Sequence, residues 1–342
     1  MRVTFDPRCA EHLTGAGHPE RPQRIDAFVG GLEAGGCARA DFVGALPAGR
    51  RDIGAVHDAE YIAAVERFCK TISAGSVAEL PSGDTNVGRT SFELALLAAG
   101  VVVDAALAAR PGAPTLAVAR PPGHHATPKR GMGFCVFNNV AVAAQRLRGE
   151  AGPVLIADFD YHHGNGTQAW VERALADGGA PIGFISTHAY PAYPGTGAFS
   201  ESHVDAGGFV VDVPLPLTTV TEDFVAVWSS LLPAITRAFR PARIVVSAGF
   251  DFLAGDPIAG LPVAPRAVDA LCGLFGQAAD ACGASLCFVL EGGYSLANMN
   301  ASGRALAHDF GAAAGAVKVP ASSLPSSPQL RAIVSEVLTW FQ

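Results

Sequence analysis

The feature that most constrains this chain is a unit repeated along it: a strand-like run, a loop rich in polar residues or glycine, then a helix-length segment. Strand-like runs lie at Arg2–Phe5, Thr115–Ala119, Val154–Ala157, Pro181–Ser186, Phe209–Val213, Arg243–Ser247 and Leu286–Leu290. Helical segments lie between them, over Ile25–Ala34, Phe92–Arg110, Asn139–Leu147, Thr167–Ala176, Glu222–Phe239 and Pro265–Ala281. Strands alternating with helices build a mostly parallel sheet covered by helices on both faces. The expected fold class is therefore α/β.

The 342 residues suffice for one large α/β domain or two smaller ones, and no internal repeat or clear boundary divides them. With 49% apolar and only 16% charged residues, the chain has ample core and argues against disorder. A net charge of -7 without a Lys/Arg run leaves no footprint for nucleic acid. Seven cysteines, an odd number with no Cys-x-x-Cys, read as free thiols in a reducing cytoplasm. The start Met1–Asp6 lacks the apolar stretch of a signal peptide, so a cytoplasmic location is expected. The apolar run Leu94–Ala109 carries Asp104 and reads as a core helix, with no membrane span expected. Residues 1–319 are expected to form one domain. Pro320–Pro328, rich in Ser and Pro, reads as a linker. The tail at 329–342 carries Leu330, Ile333, Val334, Val337, Leu338 and Phe341 on one helix face. It is expected to pack on the chain's own core, a homo-oligomer contact being the alternative.

Chemistry gathers at strand ends, where open α/β sheets place ligands. After Val154–Ala157, residues Asp158, Asp160 and His162 alternate, so an extended chain points all three one way. Two prolines stop the strand at Thr115–Ala119 and leave His124 and His125 on the following loop. Asp251 and Tyr294 follow two further strands. Asp160, His162 and Asp251 supply three ligands and leave a fourth position open, as catalytic zinc sites do. Paired histidines can provide a base, and a tyrosine hydroxyl can bond a developing oxyanion. His57 reads as structural. The loop His18-Pro-Glu-Arg-Pro22 reads either as a stiff surface loop or as a lip over the site with Arg21 directed inward.

Five motifs in consistent order, Arg120-Pro-Pro-Gly-His-His125, Gly131-Met-Gly-Phe-Cys135, Asp158 to Gln168, Ser247-Ala-Gly-Phe-Asp251 and Glu291-Gly-Gly-Tyr294, resemble the histone deacetylase family. They are similar to its class II and bacterial acetylpolyamine amidohydrolase branch, over about residues 1–310. The resemblance implies an arginase/deacetylase fold, a single domain with an eight-stranded parallel sheet flanked by helices. It implies Zn2+ on Asp160, His162 and Asp251, His125 as general base then acid, and His124 orienting water and stabilising charge. Asp158 is implied as the partner of His124, and Tyr294 as the oxyanion donor. Asn165 stands where class I relatives carry aspartate, which implies a lower pKa for His125. It also implies K+ held by Asp158, Asp160 and His162 with Ser186 and Thr187, largely through backbone oxygens.

By the same resemblance, a narrow substrate tunnel is lined by Phe134, Tyr193 and Ile258, with Gly133 opposite and Asp84 at the rim. Asp84 reads equally as the cap of the turn at Thr85–Asn86. Ile258 stands where polyamine-selective relatives place glutamate, and only 40 positions separate Asp84 from His124, so the dimer-forming insertion of bacterial polyamine enzymes is not expected. A composition rich in Ala, Gly and Arg suggests a bacterial source. The expected function is deacetylation of acetylated lysine in peptides or proteins. Hydrolysis of acetylated polyamines or other small amides is the alternative within the same chemistry. An idle acyl-group binder is opposed by the intact Tyr294 and ligand set, and an arginase-like two-metal site would need more bridging carboxylates.

Overall fold

Runs of branched and aromatic residues too short for helices form the strands. The computed structural model describes residues 1–149, 152–311 and 324–342. In chain order the strands are β1 (Arg2–Phe5), β2 (Phe42–Val43), β3 (Val77–Glu79), β4 (Asn86–Gly88), β5 (Thr115–Val118), β6 (Val154–Asp158), β7 (Ile182–Ala189), β8 (His203–Asp205), β9 (Gly208–Leu215), β10 (Arg243–Ala248) and β11 (Ser285–Leu290). The helices are α1 (Gln23–Ala34), α2 (Arg50–Gly54), α3 (Ala59–Thr71), α4 (Ser91–Ala108), α5 (Asn139–Arg148), α6 (Asn165–Ala176), α7 (Thr221–Phe239), α8 (Arg266–Cys282), α9 (Leu296–Gly311) and α10 (Pro328–Trp340).

The central sheet has nine strands in the order β2-β1-β5-β11-β10-β6-β7-β9-β8. The eight from β2 to β9 all pair in parallel, as the sequence implied. The ninth, β8, is a three-residue antiparallel edge with two exposed residues, a short polar edge of the kind that resists further pairing. β3 and β4 form a separate hairpin. Every residue of β6, β7, β9 and β11 is buried, because helices cover both sheet faces. The helix α4 is long and apolar enough to cross a membrane by composition alone, yet most of it is buried against α5 and β5. Its Asp104 sits at the surface and pairs with Arg2 at 2.6 Å.

The C-terminal α10 lays Leu330, Ile333, Val334 and Val337 against α7 and β9. Trp340 stacks on Phe199 at 5.8 Å, and Phe341 meets Phe209 edge-on. Part of the sequence-read linker, 320–323, lies outside the described residues. Its end is held, since Asp223 of α7 accepts the N–H groups of Ser326 and Ser327. All seven cysteines are free thiols, six of them buried. For function, one fact of topology matters most. β5, β11, β10 and β6 are four consecutive neighbours, so their carboxyl ends open side by side.

Candidate metal centre and active site

Beyond β6 the chain turns through two aspartates that accept N–H groups two residues on. Asp158 Oδ1 accepts from Asp160 N at 3.0 Å, and Asp160 Oδ1 from His162 N at 2.9 Å. Phe159 between them goes the other way, into a cluster with Phe250, Phe252 and Phe275. Asp251, from the end of β10, completes the group. His162 Nδ1 lies 3.2 Å from Asp160 Oδ1 and 3.0 Å from Asp251 Oδ2. Ligands on tetrahedral bonds of ~2.0 Å lie about 3.3 Å from one another, so these two distances suit a group able to hold a metal ion. The carboxylates are aimed by backbone donors, Gly292 N to Asp160 Oδ2 at 2.9 Å and Tyr161 N to Asp251 Oδ1 at 3.0 Å. Glycine at 249 makes room for them, since a Cβ there would lie 1.8 Å from Asp160 Oδ2.

The field of this group attracts positive charge. Burial opposes ionisation of His162, but its contacts with Asp160 and Asp251 outweigh it and hold the imidazole at about 9. Burial pushes Asp251 up to about 6, with Asp160 adding to the rise. Burial would raise Asp160 as well, yet His124 and His162 bring it below the usual carboxylate range.

The two loop histidines have been driven apart. Their rings lie 4.0 Å apart, both buried. His124 Nδ1 is 3.1 Å from Asp158 Oδ2. Burial works against its charge, but Asp160 and Asp158 prevail and lift it to about 10. His125 Nδ1 is 2.8 Å from Asn165 Oδ1, an amide oxygen that only accepts, so the proton sits on Nδ1 and Nε2 keeps its lone pair. Burial, and then the charges of His124 and His162, lower His125 well below the ordinary histidine value. A pair split in this way separates a charged histidine from a neutral, basic one.

The walls follow. Gly133 has φ +56 and a Cβ there would lie 2.2 Å from His125 Cδ2, so glycine is required. Phe134 packs edge-on to Tyr294 at 5.9 Å and to His18 at 4.7 Å. The Tyr193 ring stands at 89° to His125, 5.1 Å away. Asp84 ties these walls together. Its Oδ1 accepts Gly133 N at 2.7 Å and its Oδ2 accepts the Tyr193 hydroxyl at 2.7 Å. Ile258 is 42% exposed in a turn held by Asp256. Asp256 Oδ2 also accepts the N–H of Tyr294 at 2.7 Å, and burial pushes the Tyr294 phenol well up. Ser186 lies in register with Asp158 on the neighbouring strand, with Thr187 next to it, both buried.

The arginine expectation needs correction. Arg21 is exposed, because it precedes the first turn of α1. Arg24, one turn on, is the one that points inward. Its Nε donates to Gly293 O and its Nη2 to Glu291 O, each at 2.5 Å, and its guanidinium lies 4.9 Å from the Tyr294 ring centre. Glu20 joins Arg24 at 2.8 Å and Arg120 at 2.7 Å in full burial. Glu291, whose Oε2 accepts the N–H groups of Gly123 and His124, was also missed as a site residue. Burial lifts its carboxyl to about 7. The structure brings together His124, His125, Asp158, Asp160, His162, Asn165 and Asp251, with Tyr294, Phe134, Tyr193, Gly133 and Asp84 at their margin.

The family described as "Histone deacetylase domain" matches residues 18–309. The chloroplastic "Histone deacetylase 10" of rice is 36% identical over 305 residues, covering 83% of this chain and 68% of that protein. The "Histone deacetylase-like amidohydrolase" of Pseudomonas aeruginosa is 35% identical over 341 residues, covering 92% of this chain and 87% of its own length. The solved HDA15 HD domain is 32% identical and superposes with a TM-score of 0.83, covering 99% of this chain and 93% of that one.

Proposed function

Since the chain belongs to the histone deacetylase family, we propose that it is a zinc-dependent amidohydrolase that removes acetyl groups from lysine-like amines. The observation that carries this reading is the convergence of Asp160, His162 and Asp251 beside a histidine with a free Nε2. Those three residues would hold the ion. When bound, zinc supplies Lewis acidity that polarises an acyl oxygen and lowers the pKa of water toward ~7.

The chain's own residues do the rest. His125 Nε2 takes a proton from the attacking water and returns it to the departing amine. Asn165 keeps that ring in the right tautomer. His124, charged through Asp158, orients the water and offsets negative charge. The Tyr294 hydroxyl donates to the acyl oxygen as charge grows there. Its loop is held by Arg24 and Asp256. Phe134 and Tyr193 grip the methylene stem between aromatic faces, with Gly133 admitting it. Asp84 braces Tyr193 at the rim. Ile258 supplies no carboxylate for a secondary ammonium, which favours acyl-lysine over acetylpolyamine.

Further parts of the reading concern setting. A K+ ion held by backbone oxygens at Asp158, Asp160, His162, Ser186 and Thr187 would stiffen the zinc loop. Residues 1–319 act as the catalytic domain, with α10 as an appended helix. The chain works in a bacterial cytoplasm, and nucleic acid and membrane are not its partners. The test is hydrolysis of a fluorogenic acetyl-lysine peptide beside acetylputrescine, with and without a chelator. Peptide turnover abolished by metal removal and restored by zinc is expected. Turnover that survives complete removal refutes the mechanism, and preference for acetylputrescine refutes the substrate assignment.

A further inference from the structure

One residue past His162, a second set of donors meets inside the fold. His163 follows β6, His188 lies on β7 and Asp212 on β9. Each is at most 1% exposed, and one donor atom of each lies within 4.8 Å of the others. We propose that these residues form a second, structural metal site for a divalent transition ion of the zinc class, with Gln168 as the fourth donor.

Asp212 carries the argument. It is wholly buried, and among the described residues neither carboxylate oxygen has a hydrogen-bond partner of good geometry. A buried carboxylate needs compensation. Among the described residues, the basic group that faces it is His163, with Nε2 at 3.1 Å from Asp212 Oδ1. That nitrogen is nearer Gln168 Oε1, at 2.8 Å, and a ring proton serving Gln168 leaves Asp212 unbonded. Burial raises the Asp212 carboxyl, His163 works against that rise, and Glu201 and Glu172 add like charge. A cation seated between these donors would supply the compensation that a buried carboxylate needs.

The ring orientations fit one. His188 Nε2 donates to Gly197 O at 2.7 Å, which leaves Nδ1 with the lone pair. His163 Nδ1 lies 2.8 Å from Thr196 Oγ1. With its proton on Nδ1, Nε2 faces Asp212 and Gln168 as a second ring lone pair. Imidazoles that bind metals are held in this way, the far nitrogen donating to a carbonyl or hydroxyl. The hydroxyl of Ser186, 2.9 Å from His188 Nδ1, is the group that has to turn aside. Two imidazoles with a carboxylate select zinc, cobalt or nickel over magnesium, calcium or potassium. Four protein donors without access for substrate make a closed, structural site. Through Thr196 and Gly197 it would clamp the loop that carries Tyr193 onto β6, β7 and β9.

The test is metal stoichiometry by mass spectrometry on the full chain, purified without chelator and reconstituted with zinc. The wild type is expected to hold two equivalents, and Asp212→Asn and Asp251→Asn one each. One equivalent in the wild type, removed by Asp251→Asn and untouched by Asp212→Asn, overturns the second site while leaving the catalytic assignment intact. If Asp212→Asn does not fold, anomalous diffraction from wild-type crystals above the zinc edge decides. A peak among His163, His188 and Asp212 is expected, and a peak at Asp160–Asp251 alone overturns the proposal.

Discussion

Replacing Glu20 by Gln will show how strongly a buried charge group underpins the catalytic loops. Glu20 is fully buried between two guanidinium groups, Arg24 and Arg120, which are themselves at most 2% exposed. Burial alone would raise its carboxyl, but Arg120 and Arg24 overcome that and hold it at about 2, against an ordinary 4.5. At 1.36 kcal/mol per unit, that difference corresponds to about 3 kcal/mol of folding stability. Breaking a buried ion pair by removing one partner typically costs about 3–5 kcal/mol, an independent figure in the same range. Glutamine keeps the size but presents an amide N–H₂ to an arginine, so about 3 kcal/mol should be lost at neutral pH. Because the folded carboxyl binds its proton more weakly than the unfolded one, the contribution is complete above about pH 4.5 and disappears as the pH falls toward about 2. Urea unfolding, followed by the buried Trp170 and Trp228, measures it at several pH values. A loss below about 1 kcal/mol at pH 7, or a wild-type advantage that does not shrink in acid, would refute the reasoning.

Other perturbations test separate parts of the site. Tyr294→Phe should lower kcat by about 10²–10³ with little change in stability, and a near-normal rate would remove its oxyanion role. Asn165→Asp places a carboxylate against His125, which is held far below its usual value. It stabilises the imidazolium, so the acidic limb of the kcat/KM profile should move to higher pH, and an unmoved limb argues against His125 as the base. Gly133→Ala forces a Cβ into the His125 ring and should abolish turnover while the metal content, measured in parallel, stays at the wild-type level. Tyr193→Phe frees Asp84 from its phenol partner and should raise KM more than it lowers kcat, with the reverse pattern counting against a wall function.

Much of this architecture could be read from residues because local pattern and tertiary role agree. The strands β5, β6, β7, β9 and β11 are buried throughout, which is why their runs are mostly apolar. β2 and β8 escaped because two- and three-residue strands at a sheet edge bury too little to leave a pattern. α9 escaped because Leu296–Gly311 is mixed with Asn, Ser and Arg and has a weak apolar stripe, its packing on α1 being a tertiary matter. The convergence of Asp160, His162 and Asp251 beside the paired histidines was legible because Asp, His and Gly crowd at strand ends. Arg24 was not legible as a site residue because it stands with Arg21 in one charged segment. Which of them faces inward depends on where the first helical turn begins. Glu20 and Arg120 look like ordinary charges in sequence, since nothing local records that they are buried together 100 positions apart.

The adjacency of β6 and β10 has a consequence for how the protein matures. Asp160 and His162 are near neighbours in the chain, but Asp251 arrives only when Val154–Asp158 has aligned with Arg243–Ser247. Closing a segment of roughly 90 residues carries an entropic penalty of about 4 kcal/mol before any contact repays it. An unfolded chain therefore brings only two of these three residues near one another, and full affinity appears late, after the middle of the sheet has registered. Zinc added to a refolding mixture should leave the early phases unchanged and act as a latch on the finished fold, prolonging its lifetime against unfolding.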